Sequence, residues 1–493
     1  MKKALIMIIT YNAERHIAGV LDRIPESLWS SPDYKVDVVV IDDCSKDHTT
    51  AVAREYIKNS LSRPIRLLRN SVNQGYGGNQ KVGYTYAIEN GYDAVVMVHG
   101  DGQYPPEFIP QMLAPIMAGQ ADAVFGSRMI NKKDAIAGGM PRYKFYGNII
   151  LTWLQNRMIG TRLSEFHSGF RAYSVAALKK IPFRYNSNVF HFDTDIIIQL
   201  ADNKLNIKEI PIPTHYGDEV CHVNGMEYAF DVMLSTVQSR IQRFGILYDP
   251  KFDYEEAVSY PDKSYFDSSH TFALGQVRPK ERVLDIGCGE GYVSSKLRAQ
   301  GCNVTGCDWR VNDDMNKHYD AVFATDLNDP EFAAVDTQHF DVIMLLDIIE
   351  HLQNPERFLE GLHGWCVVDN PRVVITTPNI AFFIQRIMLL LGQFNYGKRG
   401  TLDKTHTRLF TFGSLRRILK NAGFNITSIE GIPAPFPLAF GNNWFSRRVL
   451  KLNWLLIRVS RTLFSYQIAV VARPVPTLEM LVKRAIQDGE NTI

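Results

Sequence analysis

The sequence predicts an α/β protein of two tandem domains, each built around a largely parallel β-sheet. Two observations carry this prediction. Short apolar runs rich in Val and Ile alternate twice over with helical stretches, which is typical of strands buried on both faces of a parallel sheet. The chain has 493 residues, which is too long for one ordinary hydrophobic core, so two or three domains are expected.

The apolar runs that are expected to form strands fall into two series. The first series covers residues 4–10, 36–42, 65–70, 94–100 and 121–127, and the second covers 282–287, 303–308, 321–326, 340–347, 372–378, 426–432 and 467–473. A helical stretch and a polar, aromatic connector separate them. The predicted division is a first domain over 1–225, a helical linker over 226–261, a second domain over 262–475 and a C-terminal tail over 476–493.

Composition narrows the class of protein. With 45% hydrophobic residues, 22% charged residues and a formal net charge of +2, the chain is typical of a soluble globular protein, and no nucleic-acid partner is expected. The six cysteines form no C-x-x-C pair, which indicates reduced thiols rather than a disulfide frame. No apolar run reaches the roughly 18 residues that span a bilayer. The expected location is cytoplasmic, or peripheral at the inner face of the membrane.

Polar side chains follow the first two predicted strands. Thr10 and Tyr11 end the first, and Asp42 and Asp43 end the second. Ligands of open α/β sheets bind at the carboxyl ends of the strands, so these groups are placed to hold a base or a ribose. The aspartates equally suit a turn and the cap of the following helix. Both interpretations stay open.

Two further segments of the first half suit a diphosphate. The glycine-rich segment 73–84 enters a helix, so its backbone could approach phosphate closely, and Lys81 adds a positive charge. The segment 98–107 places Asp101 beside small residues and Gln103, which suits a hard divalent cation. If a group is transferred from a nucleotide diphosphate, the diphosphate leaves with growing negative charge, and a bound cation would stabilise that charge.

The order and spacing of these segments resemble the inverting family 2 glycosyltransferases of GT-A fold, near the dolichyl- or polyprenyl-phosphate sugar synthase branch. The resemblance covers about residues 3–220. It includes the segments FGSRM (125–129), FHSGFRAYS (166–174) and IKEIPIPTHYGDE (207–219).

This resemblance implies a nucleotide-sugar donor and a glycan or polyprenyl-phosphate acceptor. The positions it implies are Thr10 and Asp43 for base and ribose, Asp101 and Gln103 for Mg²⁺ or Mn²⁺, and Arg128 and Arg171 for phosphate. The sequence departs from the family's Asp-x-Asp pattern at His99. Imidazole binds Mn²⁺ but is a poor ligand for Mg²⁺, so His99 is either a third ligand or a structural histidine.

A sugar hydroxyl acceptor requires a carboxylate that takes its proton. Asp193 and Asp195 are the candidates, although both also suit the cap of the apolar helix that follows. A polyprenyl-phosphate acceptor is already ionised and requires no base. His215 and His222 are either solvated loop residues or ligands that complete a metal shell.

The second half carries the strongest motif, VLDIGCGEG (283–291), in which a strand ends in three glycines. The glycines let the backbone pass close to a nucleoside. Asp285 suits a ligand amino group, and Asp308 at the end of the next strand can accept both ribose hydroxyls. Asp326 ends the third strand, where it is placed for an adenine amine, with Leu327 beside it.

This set resembles the class I S-adenosylmethionine-dependent methyltransferases, with their Rossmann-like seven-stranded sheet, over about residues 262–475. Residues 345–359 and 405–424 are similar to later segments of that family. The cofactor contacts it implies are Asp285, Gly287, Gly289, Asp308, Asp326 and Leu327, with Asp347 near the methyl-transfer centre.

Two histidines are candidate bases for an acceptor hydroxyl, because histidine titrates near neutral pH. They are His351 and His406, and each equally suits a structural role. No cluster of cysteine or histidine in the sequence suggests that a metal assists methyl transfer.

Segment 442–461 has five basic residues and no acidic one, with Trp, Leu and Ile between them. It suits either a peripheral contact with an anionic membrane or a helical lid over a substrate pocket. An apolar segment at 380–394 accompanies it.

The function predicted from these features is a bifunctional enzyme of glycan or lipid-linked sugar assembly, which transfers a sugar and methylates a glycan or lipid-linked product. The alternative is an active methyltransferase with a degenerate, glycan-binding glycosyltransferase-like domain. This alternative is supported by His99, because this residue departs from the family's Asp-x-Asp pattern.

Overall fold

The computed structural model describes residues 1–60, 63–214, 225–242, 248–254, 262–312, 314–329 and 339–490. The chain divides into two compact units, Met1–Glu256 and Ala257–Ile493. This division lies within the predicted linker over 226–261. The exact bounds of the two domains, the linker and the tail stay a prediction. His215 and His222 lie outside the described residues.

The first unit contains a seven-stranded sheet in the order β3-β2-β1-β4-β6-β5-β7, in which β6 runs antiparallel to both neighbours. Its strands are β1 (Lys2–Thr10), β2 (Tyr34–Asp42), β3 (Ile65–Arg69), β4 (Ala94–His99), β5 (Ala123–Ser127), β6 (Arg171–Ser174) and β7 (Ile207–Pro211). Alternate residues of β1 enter two apolar clusters, one with Leu5 and Met7 and the other with Ile6 and Ile8. This alternation is the strand period of two, and it shows that the sheet is covered on both faces.

Helices connect these strands and cover the sheet. They are α1 (Ile17–Asp22), α2 (Thr49–Asn59), α3 (Gly75–Glu89), α4 (Ile109–Met117), α5 (Lys132–Ala137), α6 (Arg142–Ile159), α7 (Val175–Lys180), α8 (Phe192–Asp202) and α9 (Gly225–Gln242), with 3₁₀ turns at Glu26–Leu28, Pro106–Phe108, Phe183–Tyr185 and Pro250–Phe252. The helix α9 packs against α6 and α8 within the same unit.

The strand prediction for the first half was incomplete. All five predicted runs form strands, but β6 and β7 were not predicted. β6 has only four residues and includes Arg171 and Ser174, while β7 carries Lys208 and Glu209. Neither shows the continuous apolar run by which the other strands are recognised.

The second unit contains a seven-stranded sheet in the order β10-β9-β8-β11-β12-β14-β13, and β14 runs antiparallel to β12 and β13. All seven predicted runs form strands. They are β8 (Arg282–Ile286), β9 (Asn303–Asp308), β10 (Ala321–Ala324), β11 (Val342–Leu346), β12 (Arg372–Pro378), β13 (Phe424–Ile432) and β14 (Gln467–Pro474).

The helices of this unit again cover both faces of its sheet over two apolar clusters. They are α10 (Ser269–Gln276), α11 (Tyr292–Ala299), α12 (Pro355–Cys366), α13 (Phe383–Leu390), α14 (Phe412–Asn421), α15 (Phe436–Phe440), α16 (Trp444–Val459), α17 (Arg461–Phe464) and α18 (Leu478–Glu490), with 3₁₀ turns at Met315–Lys317 and Ile349–His351. Within the part of the chain that the structure describes, no helix has the length and apolarity required to cross a membrane.

Candidate active sites

The carboxyl ends of β1, β2 and β4 lie side by side at one edge of the first sheet. Thr10 of β1 pairs with Asp42 of β2, and β4 ends at His99 on the other side of β1. Thr10 is buried and donates its hydroxyl hydrogen to a backbone carbonyl at 3.4 Å, whereas Tyr11 is 44% exposed. The sheet therefore brings together side chains from three separate segments of the sequence, as the strand-end rule predicts.

Both carboxylates that follow β2 bond within the protein. Asp42 is fully buried and accepts the hydroxyls of Ser45 and Thr50. Asp43 accepts two backbone amides at the start of α3, at 2.8 and 3.0 Å. These contacts are those of a turn and a helix cap. Contact of Asp42 and Asp43 with a donor nucleotide stays a prediction.

The glycine-rich segment 73–84 packs closely against a loop that precedes α8. The amide of Gly77 donates to the carbonyl of Asn188 at 2.8 Å, and a Cβ on Gly77 would lie 2.3 Å from the carbonyl oxygen of Ser187. Lys81 donates to Asn188 Oδ1 at 2.8 Å, and burial lowers the pKa of Lys81. The amides that the sequence suggested for a diphosphate thus have protein acceptors, and the phosphate contact of Lys81 stays a prediction.

The turn after β4 presents the predicted metal ligands. Asp101 and Gln103 are half-buried, and Asp101 Oδ1 accepts the backbone amide of Gln103 at 2.9 Å. His99 Nε2 lies 3.4 Å from the Tyr76 hydroxyl, and the His99 ring meets Tyr104 edge-on at 4.8 Å between centroids. Burial lowers the pKa of His99, so the ring is neutral and keeps one lone pair at neutral pH. A set of two oxygens and one imidazole suits Mn²⁺ better than Mg²⁺.

The two candidate bases of α8 have different surroundings. Asp193 lies beside the turn after β4, and its carboxylate accepts the Tyr76 hydroxyl at 2.9 Å and the Gln80 amide at 3.4 Å. Asp195 is fully buried, and Lys251 Nζ lies 3.2 Å from Asp195 Oδ1. Only Asp193 therefore adjoins the predicted metal ligands, and its role as a base stays a prediction.

The two arginines that the resemblance assigned to phosphate are both buried. Arg171 is 1% exposed and donates to the carbonyls of Phe166 at 2.6 Å and Ser168 at 2.7 Å. This environment does not suit the predicted phosphate contact of Arg171. Arg128 is 8% exposed and pairs with Glu165, with 3.1 Å between Nε and Oε1. Burial alone would raise the pKa of Glu165, but Arg128 holds it below its ordinary value.

Aromatic and histidine side chains that were not predicted line the same region. Tyr76 and Tyr104 flank His99, and His167 Nδ1 lies 2.9 Å from the Tyr228 hydroxyl. Burial lowers the pKa of His167 to about 4, so this ring is neutral at pH 7. His167 lies in a segment that carried the resemblance, but no sequence signal connects it to Tyr228 on α9.

In the second unit, β8 leads into the glycine segment. Gly287 has a φ of +74°, and a Cβ there would lie 2.0 Å from Ile348 Cδ1. Gly289 has a φ of +47°, and the position of its Cβ meets open space. A side chain at Gly287 would combine a strained φ with a clash against Ile348, whereas Gly289 leaves a surface on which a ligand can lie close to the backbone.

Three aspartates lie at or near the carboxyl ends of the neighbouring strands β8, β9 and β10. Asp285 accepts the Ser294 hydroxyl at 2.6 Å, and burial raises the pKa of Asp285 to about 6. Asp308 at the end of β9 accepts the amide of Gly289 at 3.1 Å. Asp326 is exposed just beyond β10, which pairs with β9. The topology therefore places Asp308 and Asp326 on neighbouring strand ends, and Leu327 beside them is half-buried.

Asp347 follows β11 with a φ of +58°, a conformation that residues other than glycine rarely adopt. Its carboxylate accepts the Thr376 hydroxyl at 2.8 Å and the Gln467 amide at 2.8 Å on both oxygens, and Lys263 Nζ lies 3.6 Å away. Burial alone would raise the pKa of Asp347, but Lys263 and these hydrogen bonds lower it. Such strain is typical of functional sites that the surrounding structure holds in place.

Beyond Asp347, the structure brings the two predicted bases together. The rings of His351 and His406 lie 4.8 Å apart between centroids, and the buried Glu350 completes a group whose ligand atoms all lie within 4.8 Å of one another. Burial and Asp347 raise the pKa of Glu350, and burial lowers the pKa of His406. The sequence shows no such cluster, because only the fold brings His406 to Glu350 and His351.

Comparison with known proteins supports the family predicted for each half of the chain. The family model described as Glycosyl transferase family 2 matches residues 5–182, and that described as Methyltransferase domain matches residues 260–429. A UDP-N-acetylglucosamine–dolichyl-phosphate N-acetylglucosaminyltransferase of Methanococcus voltae is 28% identical over 227 residues, 44% of this chain and 87% of the relative. An undecaprenyl-phosphate mannosyltransferase of Micrococcus luteus is 28% identical over 215 residues, 43% of this chain and 82% of the relative. A ubiquinone biosynthesis O-methyltransferase of Coxiella burnetii is 26% identical over 159 residues, 31% of this chain and 67% of the relative.

Each of the two mixed α/β sheets, with polar residues at its strand ends, lies largely in a part of the chain that a transferase family model matches. The chain belongs to glycosyl transferase family 2 through its N-terminal domain and carries a methyltransferase domain after it. It is therefore an enzyme of both transferase kinds, and the predicted GT-A and Rossmann-like fold class is confirmed.

Proposed function

We propose that the N-terminal domain transfers a sugar from a nucleotide-sugar donor to a polyprenyl-phosphate acceptor. We propose further that the C-terminal domain methylates a hydroxyl of the glycan or lipid-linked product with S-adenosylmethionine. The names of two relatives support the first step, since one acts on dolichyl phosphate and the other on undecaprenyl phosphate.

The observation that carries the choice of acceptor is that both candidate bases already have protein partners. Asp193 is bonded to Tyr76 and Gln80, and Asp195 is paired with Lys251. A sugar hydroxyl needs a base within hydrogen-bond reach, whereas a lipid phosphate is ionised at neutral pH and gives up no proton. The phosphate acceptor therefore suits this site better.

An apolar surface on the first unit supports the same choice. The packed helices α6 and α9 each expose large apolar side chains three or four residues apart. These residues, each at least 52% exposed, are Tyr143, Tyr146, Ile150, Trp153, Met226, Phe230 and Leu234. Exposed apolar side chains of this kind suit a polyprenyl chain or the membrane interface in which it resides.

The turn after β4 would hold the cation in this scheme. Asp101 and Gln103 supply oxygen ligands, and His99 supplies a neutral nitrogen. The cation would neutralise the diphosphate leaving group. In the second domain, the open surface at Gly289 and the carboxylates of Asp308 and Asp326 would hold S-adenosylmethionine.

The helix α16 is a proposed point of membrane contact in the second domain. Trp444 is 68% exposed, and Leu452, Leu455 and Val459 are 55–77% exposed. Four basic residues lie on the same helix, and all are exposed: Arg447, Arg448, Lys451 and Arg458. Apolar anchors with basic side chains suit an anionic membrane surface.

The glycosyl step is tested with the full chain, polyprenyl phosphate in detergent, Mn²⁺ and labelled UDP- and GDP-sugars. We expect label in an organic-extractable product, and Asp101→Ala should lower its rate by about 100-fold or more because the cation loses a ligand. The control is Glu55→Ala, an exposed position on α2, which should leave the rate unchanged. Equal rates for Asp101→Ala and the parent chain would overturn the proposed metal role.

A degenerate, glycan-binding first domain is the second candidate, and the contact of His99 with Tyr76 favours it. It predicts no turnover of any nucleotide sugar, while methyl transfer from S-adenosylmethionine continues. Donor turnover by the parent chain would exclude it.

A further inference from the structure

The group Glu350, His351 and His406 has the composition of a metal site. Glu350 and His351 lie in the 3₁₀ turn after β11, and His406 lies in the segment before α14. One carboxylate oxygen and one nitrogen of each ring lie within 4.8 Å of one another. Two imidazoles and a carboxylate are a common ligand set for divalent transition metals with open coordination positions.

The hydrogen bonds of the two rings fix which nitrogens are available. His351 Nδ1 lies 3.2 Å from the carbonyl oxygen of Thr405, and His406 Nδ1 lies 3.1 Å from that of Thr401. A carbonyl oxygen only accepts, so each Nδ1 carries the hydrogen and donates it. Each Nε2 is therefore the nitrogen left for a ligand, and a backbone acceptor orients each ring as is usual for ligating histidines.

Glu350 supplies an independent observation. It is 1% exposed, and the Thr377 hydroxyl donates to its Oε2 at 2.9 Å, but its buried Oε1 has no hydrogen-bond partner within the described residues. Leaving a buried carboxylate oxygen without a partner is costly, and a bound cation would satisfy it.

Backbone hydrogen bonds of Glu350 connect the 3₁₀ turn to the segment that carries His406. Its carbonyl oxygen accepts the amides of Thr407 at 2.9 Å and Arg408 at 3.0 Å. These bonds fix the position of His406 relative to Glu350 and His351. The ligand atoms are thus arranged before any ion binds, which favours affinity.

We propose that Glu350, His351 and His406 bind a divalent transition-metal cation, such as Mn²⁺, Co²⁺ or Zn²⁺, through one carboxylate oxygen and the two Nε2 atoms. Three protein ligands leave positions for an oxygen of the methyl acceptor. The site follows Asp347 in the chain, since Glu350 and His351 lie three and four residues beyond it.

The role of the cation rests on the proposed methyl transfer. A hydroxyl bound to the cation has a lowered pKa and releases its proton to solvent water. The oxygen lone pair then forms the new bond to the methyl carbon. The bond between that carbon and sulfur breaks with its electron pair on sulfur, which leaves S-adenosylhomocysteine.

The test is a Co²⁺ titration of the full chain, followed by the visible absorption of the bound ion and by calorimetry. The variants His351→Gln and His406→Gln should each weaken the titrated site by about 100-fold or more, because even the loss of a group behind the ligands costs 10–100-fold. His339→Gln is the matched control, since His339 is 78% exposed and bonds to Asp369 outside the group.

Two controls keep the outcomes distinct. Asp101→Ala removes the proposed cation site of the first domain and should leave the absorption of the histidine site in place. Binding of S-adenosylhomocysteine by each variant shows that the second domain is folded.

Co²⁺ binding that His351→Gln and His406→Gln leave unchanged would overturn the metal site. If the parent chain binds Co²⁺ at this site but transfers no methyl group, the metal site stands and the proposed methylation is contradicted.

Discussion

At the scale of single residues, buried carboxylates set the electrostatics of both domains. Asp285 is 5% exposed, and burial raises its pKa from the ordinary 3.8 to about 6. The folded protein therefore holds this proton more tightly than the unfolded chain. The stability associated with it is complete below about pH 3.8 and is lost as the pH rises through about 6.

This loss of stability with rising pH gives a prediction for the Asp285→Asn variant. Between pH 4 and pH 7, the free energy of unfolding of the parent should fall relative to that of the variant, by up to about 3 kcal/mol for a shift of about two pKa units. The measurement is denaturant unfolding of both proteins at several pH values, because the other titrating groups cancel in the difference. A difference that does not change with pH would contradict the buried, protonatable Asp285.

The pair of Arg128 and Glu165 gives a second prediction. Glu165 has a fully buried side chain, so Glu165→Ala leaves Arg128 as a buried charge without its carboxylate, which should cost about 3–5 kcal/mol. Glu107→Ala is the matched control, since Glu107 pairs with Arg23 at the surface and its loss should cost less than about 1 kcal/mol. Thermal unfolding compares the two variants, and equal losses would contradict the difference in burial.

Residue types at strand ends could be predicted from the sequence, but their bonding partners could not. Asp42, Asp43 and Asp195 were candidates for contact with ligands, and each proves to bond within the protein. The partner of Asp195 is Lys251, far along the chain. The pairing of His351 with His406 is hidden for the same reason, because only the fold brings them together.

At the scale of elements, a continuous apolar run was a sufficient signal for a strand in either sheet. All seven strands of the second sheet were predicted, including β14, which is buried along nearly its whole length. β6 and β7 of the first sheet were not, because their polar residues are buried or half-buried by neighbours that the sequence does not reveal. Tertiary context overrides local pattern at these two strands.

The helix α16 yields a prediction at this scale. Replacing Arg447, Arg448 and Lys451 with Gln should weaken binding to anionic vesicles by roughly 100-fold, because each basic residue near such a surface contributes about 1 kcal/mol. Sedimentation with vesicles of phosphatidylglycerol and phosphatidylcholine measures the partition. The exposed pair Lys179 and Lys180, changed to Gln, is the control. An unchanged partition of the α16 variant would contradict the proposed membrane contact of this helix.

At the scale of the whole molecule, one chain combines a family 2 glycosyltransferase domain and a methyltransferase domain. The proposed function requires that the second acts on a product of the first. Asp101→Ala should then remove methyl incorporation into the lipid fraction as well as sugar incorporation, although the variant keeps an intact second domain. Methyl label that stays in the lipid fraction of Asp101→Ala would show that the two activities are independent.

A double-label reaction tests directly whether one chain carries out both transfers on one product. The full chain is incubated with Mn²⁺, polyprenyl phosphate, a labelled nucleotide sugar and S-adenosylmethionine labelled on its methyl group, and the organic extract is separated by chromatography. We expect both labels to appear in one lipid-linked product. Sugar label that remains in the nucleotide, with methyl label found only in water-soluble material, would contradict it.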